Sequence, residues 1–226
     1  TEEPFLWLLK NADVFGHPDW KYQTKFGPAA SRGNSLELAV SMKMLLAASQ
    51  DECCQKCRSD FLNQINKKSA EELNSEELRE YDNIEHFIRQ IYAAIDSDQF
   101  KELKLGKLIS SQTKHEAKIP TPLGEQGFLG YTDFKHFVAN QTSKYAYWDL
   151  KTTNSAALEF RENHQTQLGF YADASQSPQH IVYVKPVAEL TPTGKKTTAK
   201  GYAIYTLTNE QRIAAKTKRH ARAALA

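Results

Sequence analysis

Lys144-Tyr145-Ala146-Tyr147-Trp148-Asp149-Leu150-Lys151-Thr152-Thr153 is the stretch on which the reading of this chain turns. It is dense in aromatic residues and ends in β-branched threonines, the composition of a strand. Alternation along a strand sends Asp149 and Lys151 to one face and Leu150 to the other. An acid and a base therefore point the same way. Asp133 closes the preceding strand-like segment, and hairpin pairing would bring its carboxylate beside that of Asp149. Two converging carboxylates suffice as protein ligands for a hard cation such as Mg²⁺, which keeps several waters of its own. A cation so held lowers the pKa of a bound water and polarises a phosphoryl oxygen, while a lysine ammonium steadies the attacking water or the developing negative charge. By themselves the same residues also describe a strand-edge ion pair, because D-x-K occurs by chance in many sequences.

The pattern around that strand reads as helices, a meander, then alternating helix and strand. Ser35–Ser49 places Leu36, Val40 and Met44 at helical spacing behind a break at Gly33 and Asn34. A polar helical stretch follows over 51–68. Ser75-Glu76-Glu77-Leu78 then fits a helix start leading to Ile84, Phe87, Ile88, Ile91 and Ile95, so these helices are expected to form a subdomain packed on the rest. Pro120, Pro122 and Gly124 mark a turn between extended segments at Lys114–Ile119 and Gly127–Phe134. Beyond the central strand a helix is expected over 155–174, strands at His180–Lys185 and Gly201–Leu207, a flexible loop at 191–198 between them, and a basic helix from Asn209. Gln167 and Tyr171 fall one turn apart on the helix, able to reach a common target.

Composition bounds the class. A chain of 226 residues can bury one substantial core, and one domain over 1–226 is expected. No apolar run approaches the roughly 20 residues that span a bilayer. The acidic start, Thr1-Glu2-Glu3-Pro4-Phe5-Leu6-Trp7, does not resemble a secretory signal, so the cytoplasm is the expected location. The formal net charge of +2 does not by itself point to nucleic acid. Lys195, Lys196, Lys200, Arg212, Lys216, Lys218, Arg219 and Arg222 do make the last part of the chain basic, yet a solvated helix face accounts for each as well as a phosphate contact would. Cys53, Cys54 and Cys57 are too local for a disulfide framework and read as reduced thiols; a metal site would need a fourth ligand, and nothing in the spacing of His86 points to one.

Three motifs occur in order: Gly130-Tyr131-Thr132-Asp133, then Asp149-Leu150-Lys151-Thr152-Thr153, then Gln167-Leu168-Gly169-Phe170-Tyr171. The set resembles the RecB-like exonuclease branch of the PD-(D/E)XK superfamily, with its G-x-x-D, its D-x-K or E-x-K followed by small or β-branched residues, and its Q-x-x-x-Y on the next helix. Upstream, Arg32-Gly33-Asn34-Ser35-Leu36-Glu37 looks like the R-G-x-x-x-E signature on the first core helix of phage recombination exonucleases related to lambda exonuclease. The resemblance implies an α/β (α+β) fold with a restriction-endonuclease-like core: a central mixed β-sheet flanked by helices, the core being helix 35–49 plus residues 111–207, with a helical insert at about 50–110 and a basic C-terminal helix at about 209–225. It implies a metal-dependent DNA exonuclease that hydrolyses phosphodiester bonds, phage-encoded, acting in the cytoplasm of a bacterial host in recombination, replication or DNA degradation.

In those terms Asp133, Asp149, Lys151 and Glu37 are the catalytic residues. Asp133, Asp149, Glu37 and the backbone carbonyl of Leu150 hold Mg²⁺ or Mn²⁺, and Gln167, Tyr171 and Arg32 meet the DNA. A homo-oligomer and a recombination partner protein are further expectations of the same kind. The motifs run from Arg32 to about Lys185 and leave the insert unmatched. Asp, not Glu, precedes Lys151. The histidine found upstream of the site in some RecB-like nucleases has no counterpart at Gly33–Glu37, and the cysteines do not make the four-cysteine cluster of some relatives. A structure-selective or restriction-like endonuclease, and a non-cutting DNA-binding relative, remain open alternatives.

Overall fold

A computed structural model describes residues 27–121, 124–138, 143–154, 158–187 and 201–224. Among the described residues four α-helices come first: α1 (Pro28–Leu46), α2 (Gln50–Gln64), α3 (Ser75–Asp96) and the short α4 (Asp98–Lys101). The long strands β1 (Leu108–Thr121) and β2 (Gly124–Phe137) follow, then β3 (Tyr145–Thr152), α5 (Glu162–Ser175), β4 (Gln179–Val184), β5 (Tyr202–Thr206) and α6 (Asn209–Ala224). The strands form one sheet in the order β1-β2-β3-β4-β5, antiparallel except for the parallel pair β3–β4 that α5 connects. The protein is thus of the α/β class, a five-stranded mixed sheet flanked by helices. Among the described residues no helix is long and apolar enough to cross a membrane. The expected loop at 191–198 and Lys195, Lys196 and Lys200 lie outside the described residues.

The first helix begins seven residues before the expected Ser35, because Pro28 at its first turn suits a position that needs no N–H donor. Gly33 and Asn34 are therefore inside α1 and not a break. The cost of an internal glycine, about 1 kcal/mol, is offset by what the added turns bury, since Ser31, Arg32 and Ser35 are all enclosed. Ala47, in the left-handed region at φ 51°, ends α1, and Ser49 opens α2 with a capping box to Glu52. Asn74 and Glu77 form the same device at the start of α3.

Strand alternation divides the core in two. Trp148 and Leu150 of β3, Val182 and Val184 of β4 and Ile204 of β5 join one cluster with α1, α2 and α3, including Leu36, Val40, Phe61, Ile84 and Phe87. Ile181 and Tyr183 of β4 pack on the opposite side with Leu168, Phe170 and Tyr171 of α5. The helix α5 begins at Glu162, later than the expected 155. On the far side of α5 lies α6, so near that a Cβ on Gly169 would sit 2.6 Å from the Cβ of Ala215. Cys53, Cys54 and Cys57 are free thiols facing the larger core, with Cys57 Sγ donating to the Ser35 carbonyl at 3.0 Å. Burial pushes the Cys57 thiol up to about 12, the behaviour of an inert packing group.

Candidate active site

Strands β2 and β3 pair from Phe137↔Tyr145 to Phe134↔Trp148. At the next position side chains take over from the ladder. The Asp133 N–H donates to Asp149 Oδ1 at 3.2 Å, and the Leu150 N–H donates to Asp133 Oδ2 at 2.8 Å. Each aspartate thus satisfies a buried backbone donor where the two strands part, which fixes both carboxylates without any help from solvent. Asp149 is fully buried and Asp133 is 8% exposed.

Lys151, two residues along β3, donates to Asp149 Oδ2 at 3.1 Å. From α1, Glu37 reaches the same place, held there because its neighbour Leu36 is locked in the core. Gln112 of β1 links the two halves: its Nε2 donates to Glu37 Oε2 at 2.5 Å and to Asp133 Oδ1 at 3.4 Å. The structure therefore brings Glu37, Asp133, Asp149 and Lys151 together from three elements, up to 114 residues apart in sequence, only through tertiary packing, and adds Gln112. Leu150, whose backbone carbonyl the resemblance names as a ligand, gives its N–H to Asp133.

The electrostatics are those of an anionic cluster short of positive charge. Burial first, then the charges of Asp149 and Glu37, push the Asp133 carboxyl well above its ordinary range. Burial raises Glu37 against the opposing bond from Gln112, with Asp149 adding to the rise. Asp149 is raised by burial although Lys151 opposes it. Burial works to lower Lys151, but Asp149 and Asp133 together outweigh it and hold its pKa above the usual value. Three carboxylates facing one ammonium favour protonation, or an added cation.

The donor set is all oxygen, as a hard divalent ion requires, and each aspartate oxygen that accepts one protein hydrogen bond keeps a second lone pair. These residues fit Mg²⁺ or Mn²⁺ as a carboxylate pair with Glu37 beside it, leaving most of the coordination to water. Among the described residues no three His, Cys, Asp or Glu side chains form a ready-made cage.

The wall of the site is α5. Gln167 Nε2 donates to the Tyr171 hydroxyl at 2.8 Å, which itself donates to the Tyr131 carbonyl at 2.8 Å. Tyr171 is only 3% exposed, packed 5.0 Å from the His115 ring, and burial with the nearby Asp149 pushes its hydroxyl up to about 12. Through that bond to Tyr131 it braces the β1–β2 hairpin. Gln167 keeps part of its surface accessible. One turn earlier, His164 bonds the Tyr183 hydroxyl at 2.5 Å; burial and the neighbouring Lys151 hold it down to about 4, a neutral imidazole at the site's edge.

Arg32 departs furthest from expectation. It is 2% exposed, ion-paired with buried Glu80 of α3 and bonded at 3.2 Å to both Asn154 Oδ1 and Thr152 Oγ1. Its guanidinium lies 4.2 Å from the centre of the Phe87 ring. A guanidinium so enclosed ties α1 and α3 to the end of β3 and has no face left for a phosphate. Sequence reasoning also missed Gln112 and His164. A lone glutamine in a strand carries no spacing signal, whereas His164 stands three residues before Gln167 on the same helical face and was open to that argument.

No family model matches the chain, and no curated protein matches it. Among solved structures, the crystal structure of SSO0001 is similar at 13% identity, over 95% of this chain and 82% of that one, with a TM-score of 0.36, too low to define a shared fold.

Proposed function

We propose that the chain is a divalent-cation-dependent DNA nuclease with a restriction-endonuclease-like core, of the PD-(D/E)XK kind, and that it acts as an exonuclease. The observation that carries the reading is the parting of β2 and β3 at Asp133 and Asp149, with Lys151 and Glu37 turned to the same point. When bound, Mg²⁺ or Mn²⁺ supplies Lewis acidity toward a phosphoryl oxygen and a more acidic water. Asp133 and Asp149 would hold that ion, with Glu37 bonding it or its water shell. Lys151, kept protonated by the two aspartates, places its ammonium where charge builds on the scissile phosphate. Tyr171 and Gln167 keep the hairpin and α5 in register around that point.

A polyanionic substrate has cations to meet beyond the site. Lys118 of β1 with Arg212, Lys216 and Arg219 of α6 surround a cavity of about 320 Å³ beside Phe170. Asp173 engages Arg212 at 2.7 Å and also Arg219, orienting both guanidinium groups. A surplus of positive charge along one groove suits a phosphodiester backbone. The Q-x-x-x-Y likeness inclines the reading to an exonuclease over a restriction-like or structure-selective endonuclease.

Digestion of end-labelled DNA, single- and double-stranded, with and without Mn²⁺, tests the proposal. Cation-dependent release from an end is expected, with circular single-stranded DNA left intact. Asp149→Ala and Lys151→Ala should each abolish cleavage with the circular dichroism of the folded protein retained. Undiminished cleavage in both variants would refute the site, and cutting of the circle would make the enzyme an endonuclease.

A further inference from the structure

Gln112 is the one member of the cluster without a charge, and its backbone is unusual. Its φ of 52° lies in the left-handed region, which a non-glycine residue seldom occupies and which costs on its own what surrounding contacts must offset. It sits four residues after the irregular start of β1, where pairing shifts between Leu108 and Ser110. The consequence is directional: the side chain is delivered between two acids that come from different elements, Glu37 of α1 and Asp133 of β2. The short bond to Glu37 is a charge-assisted one. Gln112 itself is exposed, so the amide can leave without opening the core.

We infer that Gln112 is a positioning residue that competes with a divalent cation for Glu37 and Asp133, holding the two carboxylates together until the cation takes over their oxygens. The amide presents N–H groups to the oxygens that face it, and a cation would need those same lone pairs. The residue at 112 therefore sets how tightly the site takes a cation. This rests on the cation-dependent reading of the site, and the chelator arm below does not.

Gln112→Glu is the decisive substitution, because the two side chains are equal in size and make the same backbone demand, leaving charge as the difference. With chelator present, this variant should melt below the parent, since a further carboxylate joins an uncompensated cluster. Adding Glu37→Gln should recover most of that loss. With Mn²⁺, titration calorimetry should show Gln112→Glu binding about tenfold more tightly than the parent, as ligand charge is added. Gln112→Gly, which removes the amide and relieves the left-handed strain, should bind several-fold more tightly, roughly the gain from losing a competing donor.

A parent-like melting temperature of Gln112→Glu in chelator, or a loss that Glu37→Gln does not relieve, overturns the bridging. If Gln112→Glu fails to fold alone, the double variant must fold, or the placement is wrong. Weaker Mn²⁺ binding by Gln112→Gly overturns the competition. If neither parent nor variants bind Mn²⁺, the cation reading falls and the competition with it, while the chelator melts still judge the bridging.

Discussion

Breaking the Arg32–Glu80 pair should cost more stability than any exposed substitution in this chain, and it separates a buried tie from a phosphate contact. Both side chains are enclosed, at 3% and 1% exposure, so truncating either one strands its partner's charge in the core, a loss of about 3–5 kcal/mol. The two truncations should not be equal. After Arg32→Ala, Glu80 still has Arg79 at 3.1 Å and the amide of Asn154 at 3.1 and 3.4 Å, which puts that variant near the lower end. After Glu80→Ala, the guanidinium's partners among the described residues are all neutral, Asn154, Thr152 and the Phe87 ring, which puts this one near the upper end.

Urea unfolding followed by tryptophan fluorescence, to which buried Trp148 contributes, measures the effect. With a urea slope of roughly 2–3 kcal/mol per molar, the midpoint should fall by at least about 1 M in each single variant. Replacing both residues together, Arg32→Met with Glu80→Leu, should cost less than either truncation, because no charge is left unpaired. Thr152 adjoins Lys151 at the end of β3, so cleavage should fall as well, by misplacement of that strand. An Arg32→Ala protein with an unchanged midpoint and weakened DNA binding would show the phosphate-contact behaviour and refute the assignment.

Asp133→Asn should abolish cleavage yet stabilise the metal-free protein. A folded-state pKa raised above the unfolded value near 4 means stability is present below that value and lost as pH rises through the raised one. In chelator at neutral pH the variant should therefore melt higher by about 2–4 °C, roughly 1 kcal/mol, with the difference vanishing toward pH 4; a lower melting point at neutral pH would refute the charge argument. Gly169→Ala places a methyl 2.6 Å from the Ala215 Cβ and should destabilise the α5–α6 contact by about 1–3 kcal/mol. Ala215→Gly in the same chain should restore the melting temperature, and no rescue would mean the helices do not meet there. Cys53 and Cys57 are fully buried and should resist a thiol reagent at pH 8 until denaturant is added, whereas rapid labelling of native Cys57 would contradict its packing.

Local pattern carried much of this architecture. The alternation in β3 is physical necessity once the segment is extended, so Trp148 and Leu150 on one side imply Asp149 and Lys151 on the other. The cap residues Ser49 and Asn74 act within three positions, which is why the start of α3 could be read directly. The start of α1 could not: glycine and asparagine argue locally for a break, and only the enclosure of Arg32 by a helix 48 residues away reverses that preference.

The sequence by itself determined the order of helices and strands, the sidedness of the central strand and the shared face of Asp149 and Lys151, because propensity, capping and period act over a few residues. Tertiary structure alone decided that β2 leaves β3 at Asp133, that Arg32 turns inward to Glu80, that Tyr171 is a brace, and that Gln112 stands between two acids. Those outcomes depend on which distant charges and donors share a buried space, where the cost of an unpaired group exceeds what any local preference can supply.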